Sequence, residues 1–219
     1  MNKTLKNLLI SFTVGICIML FVLLAVLANL NSQLKIDALM SEFVNKFFSS
    51  GWISFFKIFT YIGSIYALAI FTLSTLFFKN KAIGITAILT LTFAALFNVV
   101  VKYIIRRDRP INMKIEEIGY SFPSAHAMLT MVVLGFVAYL VVKFVKNKWL
   151  KVGLTSLLGL VIFFVGLSRV ILGVHYFTDV LAGWIIAIPI LIAEISVCNF
   201  LIKNPIKPNK RLMWFYFMD

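Results

Sequence analysis

Acids are scarce in this chain. Eight Asp and Glu stand against 21 Lys and Arg in 219 residues, and charged residues of both signs make up only 13%. A soluble domain carries about 25%, so a water-facing globule is excluded. Cysteine is nearly absent. The two present, Cys17 and Cys198, fall inside apolar runs, which excludes a disulfide framework and leaves them as small core residues. Ten-residue alternating segments between turns are missing, which excludes a membrane β-barrel. No internal repeat and no low-complexity linker divides the chain, so residues 1–219 are expected to form one domain. Histidine occurs twice, at His126 and His175.

What the chain has is long apolar runs. It is 62% hydrophobic with a mean hydropathy of +1.01. Six runs, over residues 8–28, 58–78, 82–104, 123–143, 151–169 and 180–202, approach the ~20 residues a helix needs to cross ~30 Å of hydrocarbon. The pattern predicts an all-α polytopic membrane protein with six transmembrane helices. The first run exceeds the 7–15 apolar residues typical of a signal peptide, so it is expected to be retained. After it, Ile36, Leu39, Met40, Phe43, Val44, Phe47 and Phe48 recur at helical spacing, while Lys35, Asp37, Glu42 and Lys46 take other faces. That predicts an amphipathic helix on the outer membrane surface, read as a structural connector at each single residue, with one wall of a lipid entrance as its functional alternative.

Lysine and arginine set the orientation. With six spans both termini share one side, and that side holds twelve cations: Lys3, Lys6, Lys79, Lys81, Lys143, Lys146, Lys148, Lys151, Lys203, Lys207, Lys210 and Arg211. It is expected to be cytoplasmic. The net charge of +13 therefore reads as topology, and no nucleic-acid partner is expected, because the aromatic residues sit in apolar spans. The tail 205–219, basic and then aromatic, reads as an interfacial anchor or a frayed end. Of the nine cations on the other face, five cluster between residues 102 and 114, on the side where spare cations are unexpected.

Three polar clusters then fall at that outer face. Lys102 lies near the C-terminal end of the third span, where the helix dipole favours a cation, and Arg109 follows just before Pro110. Arg106 and Arg107 carry no assignment, and Asp108 is available to pair with one of them. In "SFPSAHAM", Pro123 suits a first helical turn, with Ser121 as a cap and Ser124, Ala125 and His126 inside that turn, where free N–H groups bind anions. In "SRVILGVHYFTD", Arg169 supplies a planar cation for phosphate oxygens. His175 and Asp179 are four apart, so in a helix they share a face, and the carboxylate orients the imidazole. Each cluster alone has a bland structural explanation. Together, three cations, two histidines, a hydroxyl and an orienting carboxylate suit phosphoryl transfer through a phosphohistidine. Asn98, one turn before Lys102, either braces it or bonds across helices. Glu194 lies about 22 Å along the helix from Asp179, too deep for the chemistry, and reads as a bundle-internal polar contact.

Lys102 with Arg109-Pro110, then Pro123-Ser124-Ala125-His126, then Ser168-Arg169 with His175 and Asp179, resemble the three signature motifs of the type-2 phosphatidic acid phosphatase superfamily. The resemblance spans residues 102–179. Ala125 stands where the family usually has glycine, and its small side chain and retained N–H are expected to preserve activity. The resemblance implies a membrane lipid phosphatase. His175 would be its nucleophile, Asp179 would orient it, and His126 would be acid and then base. Lys102, Arg109, Ser124, Ala125 and Arg169 would hold phosphate. It implies no metal and no other cofactor, and a lipid phosphate or diphosphate as substrate: undecaprenyl diphosphate, phosphatidylglycerophosphate or phosphatidate, met at the outer face of the cell membrane. A non-enzymatic lipid transporter on the same scaffold, or a phosphatase of a soluble ester, stays open at this point. The transporter would have no need of both histidines.

Overall fold

The computed structural model describes residues 2–31, 33–48 and 50–204, so the basic-aromatic tail lies outside the described residues. The described chain is helical: α1 (Lys3–Leu30), α2 (Lys35–Phe47), α3 (Ser50–Ile62), α4 (Ile65–Ser74), a short 3-10 turn (Thr75–Phe77), α5 (Lys81–Ile105), α6 (Ala125–Phe144), α7 (Lys148–Ile171) and α8 (Phe177–Lys203). Polar caps mark the starts. Asn2, Ser64, Asn80, Ser124 and Asn147 each accept a first-turn N–H with their side-chain oxygen.

Five of these helices, α1 and α5 to α8, are long and apolar enough to cross a membrane alone. The sixth predicted span is broken. Instead of one helix over 58–78, α3 begins at Ser50 and α4 follows at an angle, the pair bent by 44°. The local cause is the dipeptide Gly63-Ser64. The Ser64 hydroxyl caps a new helix by accepting from Ala67 N at 3.3 Å, so α3 ends and α4 starts in a new direction.

α6 is the central helix, packed by α5, α7 and α8, while α1 lies along α8 and α3 along α7. The main core joins Phe21 and Ala28 of α1, Leu91 and Ala94 of α5, Met128 and Val132 of α6, and Ala182 and Ile186 of α8. Close approach of α8 to the start of α6 depends on Gly183. A Cβ there would lie 2.9 Å from the Ser124 carbonyl oxygen. Because Gly183 is one turn beyond Asp179, this contact sets the two helix starts side by side.

Among the described residues Cys17 and Cys198 are free and buried, as small core residues should be. α2 departs from its expected role as a connector. Ile36, Leu39, Phe43 and Phe47 are exposed, while Asp37 on the opposite side is only 2% exposed. The side of the helix that faces protein carries Asp37 and Val44, with Met40 half-buried, while Lys35, Glu42 and Lys46 stay exposed.

Candidate active site

Two connections build the site at one end of the bundle: residues 106–124 between α5 and α6, and the tight turn 172–176 between α7 and α8. They are stitched together by backbone. Lys114 N donates to Leu172 O at 2.9 Å, Ser121 N to Arg107 O at 2.8 Å, and Ser124 N to Asp179 O at 3.1 Å. Gly173 takes φ +67°, and a Cβ there would meet Asn112 O at 2.6 Å, so both conformation and space require glycine.

All eight predicted site residues lie at this end. His175 sits in the turn just before α8, not inside a helix, yet its Nδ1 is 3.4 Å from Asp179 Oδ2. Asp179 also caps α8, its Oδ2 accepting from Tyr176 N at 3.0 Å. On the far side of the ring, His175 Nε2 is 3.2 Å from Arg109 Nη1. If Nδ1 carries the proton and donates to Asp179, Nε2 keeps its lone pair and accepts from Arg109. His175 is 3% exposed. Burial first, and then the charges of Arg169, Arg109 and Lys102, hold its pKa well below the usual histidine value, so the ring is neutral at pH 7.

Arg109 is fixed by carbonyls. Its Nε donates to Gly119 O and its Nη1 to Val174 O, both at 2.8 Å, and its Nη2 to Ile118 O at 3.2 Å. Lys102, in the last turn of α5, donates to Tyr120 O at 2.5 Å. Arg169, in the last turn of α7, is 1% exposed. Its Nη1 donates to the Thr60 hydroxyl of α3 and its Nη2 to Glu117 Oε2, the latter at 2.5 Å. Its buried Nε has no hydrogen-bond partner among the described residues. An unpaired buried guanidinium N–H is costly, and an anion oxygen beside it would remove the cost.

α6 starts at Ala125, two positions later than expected. Pro123, joined to Phe122 by a cis peptide bond, precedes the helix instead of occupying its first turn. Ser124 is the N-cap, its Oγ accepting from Ala127 N at 3.5 Å. Ser121 is no cap; its hydroxyl donates to Asp108 O at 3.0 Å. Ala125 and His126 occupy the first turn, where N–H groups lack helical acceptors. His126 packs against the α3–α4 break. A methyl on Gly63 would run into Val165 and lie 3.2 Å from His126 Cδ2. Its imidazole is within electrostatic reach of Arg169, His175, Lys102 and Arg109.

Several participants escaped the sequence. Arg107 is buried, and its Nη1 is 2.6 Å from Asp179 Oδ1 while its Nη2 is 2.7 Å from Asp37 Oδ2. Arg107 thus pairs with acids far from it in sequence. Arg106, left-handed at φ 52°, closes α5 instead. Glu117 carries an ion pair to Arg169 and lies 4.0 Å from Arg109 Nη2. Spacing gives no sign of these pairs; the only hint was an excess of cations on the sparsely charged face. Asn98 donates to Pro123 O at 3.3 Å, tying α5 to the connection just before α6 and not bracing Lys102. Glu194 is buried in α8, apart from these residues, in a groove with Leu89 and Thr90 of α5.

Residues 83–202 match the family model described as the PAP2 superfamily. The chain is 36% identical over 111 residues to phosphatidylglycerophosphatase B of Bacillus subtilis, covering 49% of this chain and 54% of that protein. It is 28% identical over 146 residues to an undecaprenyl-diphosphatase of Sulfolobus acidocaldarius, covering 63% of this chain and 65% of that one. The aligned segments thus span between half and two thirds of these curated relatives. Among solved structures, the transmembrane PAP2-type phosphatidylglycerolphosphate phosphatase from Bacillus subtilis superposes with a TM-score of 0.76 at 24% identity, over 91% of this chain and 100% of that one. Aquifex aeolicus LpxE superposes with a TM-score of 0.64 at 20% identity, over 75% of this chain and 98% of that one. At those identities the likeness is one of fold: a multi-pass membrane bundle.

Proposed function

The chain belongs to the PAP2 superfamily, and on that premise we propose that it is a membrane phosphatase acting on a lipid phosphate or lipid diphosphate through a phosphohistidine at His175. The observation that carries this reading is the setting of His175: a buried imidazole backed by Asp179, with Arg109 Nη1 3.2 Å from its free nitrogen and the unpartnered Nε of Arg169 nearby in the same cation set. The whole chain is taken as one catalytic domain.

The steps follow from the groups. Lys102, Arg109 and Arg169, with the Ser124 hydroxyl and the first-turn amide of Ala125, hold the phosphoryl oxygens; the arriving anion displaces the Glu117 carboxylate from Arg169. The His175 Nε2 lone pair forms a bond to phosphorus as the bond to the leaving oxygen breaks, and His126 gives that oxygen a proton. Asp179 faces the imidazolium so formed. His126, now neutral, takes a proton from water, whose oxygen attacks phosphorus. The N–P bond breaks and inorganic phosphate leaves. Three fixed cations supply the charge stabilisation that a metal ion would otherwise give.

The two curated relatives, a phosphatidylglycerophosphatase and an undecaprenyl-diphosphatase, support lipid substrates of this class. The test is phosphate release by purified protein from undecaprenyl diphosphate, phosphatidylglycerophosphate, phosphatidate and glucose 6-phosphate. At least one lipid is expected to turn over, undiminished by EDTA. No release from any of them by folded protein would defeat the enzyme reading, and chelator-sensitive release would defeat the metal-independent one.

The site is proposed to face outward, with both termini cytoplasmic. The cation count behind this is asymmetric, and the exposed apolar side of α2 suits a helix lying at the interface. Ile118, 96% exposed beside the site, and the exposed Asn147 at the other end are suitable cysteine positions. An impermeant maleimide added to intact cells should label Ile118→Cys and spare Asn147→Cys. The reverse pattern inverts the topology.

A further inference from the structure

α2 buries one acid, Asp37, and that acid reaches the catalytic turn. Asp37 Oδ1 accepts from Thr178 N at 2.9 Å, and its Oδ2 accepts from the Thr178 hydroxyl at 2.9 Å. The same Oδ2 is 2.7 Å from Arg107 Nη2, whose other nitrogen, Nη1, is 2.6 Å from Asp179 Oδ1 and 2.8 Å from Thr178 Oγ1. The Arg107 guanidinium lies 4.1 Å from the centre of the Tyr176 ring. The side chains of Asp37, Arg107 and Asp179 are all 0% exposed. A chain thus runs from the interfacial helix through Arg107 and Asp179 to His175.

The charge arithmetic gives this chain a purpose. Burying ions is costly, and an Arg107–Asp179 pair alone would be neutral. A neutral pair is a poor counter-charge for an imidazolium that forms among Lys102, Arg109 and Arg169. With Asp37 added, one cation lies between two carboxylates and the three sum to one negative charge, directed at His175 Nδ1 through Asp179 Oδ2. That charge is worth most when the ring becomes positive, as the N–P bond forms. Arg107 meanwhile fixes the Asp179 carboxylate so that Oδ2 is the oxygen facing the ring.

We infer that Asp37 and Arg107 are positioning residues for the nucleophile, with Asp37 restoring to Asp179 the negative charge that Arg107 cancels. The inference rests on the phosphohistidine reading. It makes α2, expected from sequence to be a connector, a working part of the active site.

The test is a double-mutant cycle on kcat, run on full-length protein in detergent with whichever lipid phosphate it hydrolyses. Asp37→Asn keeps shape and the acceptor for Thr178 N but removes the charge. Partners that orient a reacting imidazole from outside are worth about 10- to 100-fold at metal sites, and a kcat loss in that range is expected here with KM within about threefold. Adding Arg107→Gln returns the group to one negative charge, so the double variant should regain about tenfold in kcat over Asp37→Asn. A purely structural role predicts the opposite, because the double variant loses more contacts. Wild-type kcat in folded Asp37→Asn, or a folded double variant no faster than the single, overturns the inference. Should the single variant fail to fold, the double decides alone: folded and within about tenfold of wild type upholds it, folded and slower than that overturns it. Alkaline quenching of wild type during turnover separates the two readings. An absent phosphohistidine together with an active His175→Ala sinks the mechanism beneath; a trapped phosphohistidine with an indifferent Asp37→Asn sinks only this inference.

Discussion

Replacing His175 with alanine should lower kcat for phosphate release by about 10⁴-fold or more. No other group in this site is placed to take over. The free ring nitrogen of His175 faces Arg109 at 3.2 Å, and its neighbours there are cations, which cannot attack phosphorus. His126 on α6 is the proton carrier; asking it to attack would leave no acid for the leaving oxygen. The variant should still fold and still bind anions. Arg109 keeps its carbonyl partners at Gly119, Val174 and Ile118, and Lys102 keeps Tyr120. The paired measurement is the rise in melting temperature with added inorganic phosphate, which reports binding to the folded state. It should survive while turnover vanishes. A His175→Ala protein retaining more than about 1% of wild-type kcat means that water attacks the substrate directly and no covalent intermediate forms.

Much of the bundle was legible in the sequence because the bilayer imposes a length. Any apolar run near 20 residues must be satisfied by an internally bonded helix, and five of the six predicted runs correspond to single helices. The exception was legible only locally. Gly63-Ser64 is a stop followed by a start, but mean hydropathy over 58–78 is blind to a change of direction. At the site, residues carried by rigid spacing emerged from sequence: Lys102 and Arg109 at the end of one span, His126 at the start of the next, His175 and Asp179 four apart. What did not emerge are pairings across long loops. Asp37 and Arg107 are 70 positions apart, and Glu117 and Arg169 are 52 apart. The amphipathic pattern of α2 gave no sign that Asp37, unlike Lys35, Glu42 and Lys46, turns into the protein. Part of the apolar stripe, at Ile36, Leu39, Phe43 and Phe47, stays exposed, while Val44 is buried on the same side as the acid.

Asp179→Asn should cost kcat about 10³-fold, a loss due to tautomer more than to shape. The present carboxylate offers only acceptors: Oδ2 to His175 Nδ1 and to Tyr176 N, Oδ1 to Arg107. An asparagine can serve only some of these. Its oxygen will turn to Arg107 at 2.6 Å, the stronger charged donor, which aims its NH₂ at the ring. Nδ1 must then become the acceptor and Nε2 carries the proton, so the nitrogen aimed at phosphorus has no lone pair. The fold should tolerate this exchange. Removing one partner of a buried ion pair usually costs about 3–5 kcal/mol because a charge is orphaned, but here Arg107 retains Asp37 at 2.7 Å and the guanidinium stays neutralised. A small fall in melting temperature beside a large fall in kcat is therefore the expected combination, with KM little changed because Lys102, Arg109 and Arg169 still hold the phosphate. Collapse of the fold with no folded fraction to assay would show that Asp37 does not balance Arg107. A folded Asp179→Asn protein within about tenfold of wild-type kcat would show that the carboxylate does not govern which nitrogen of His175 is free.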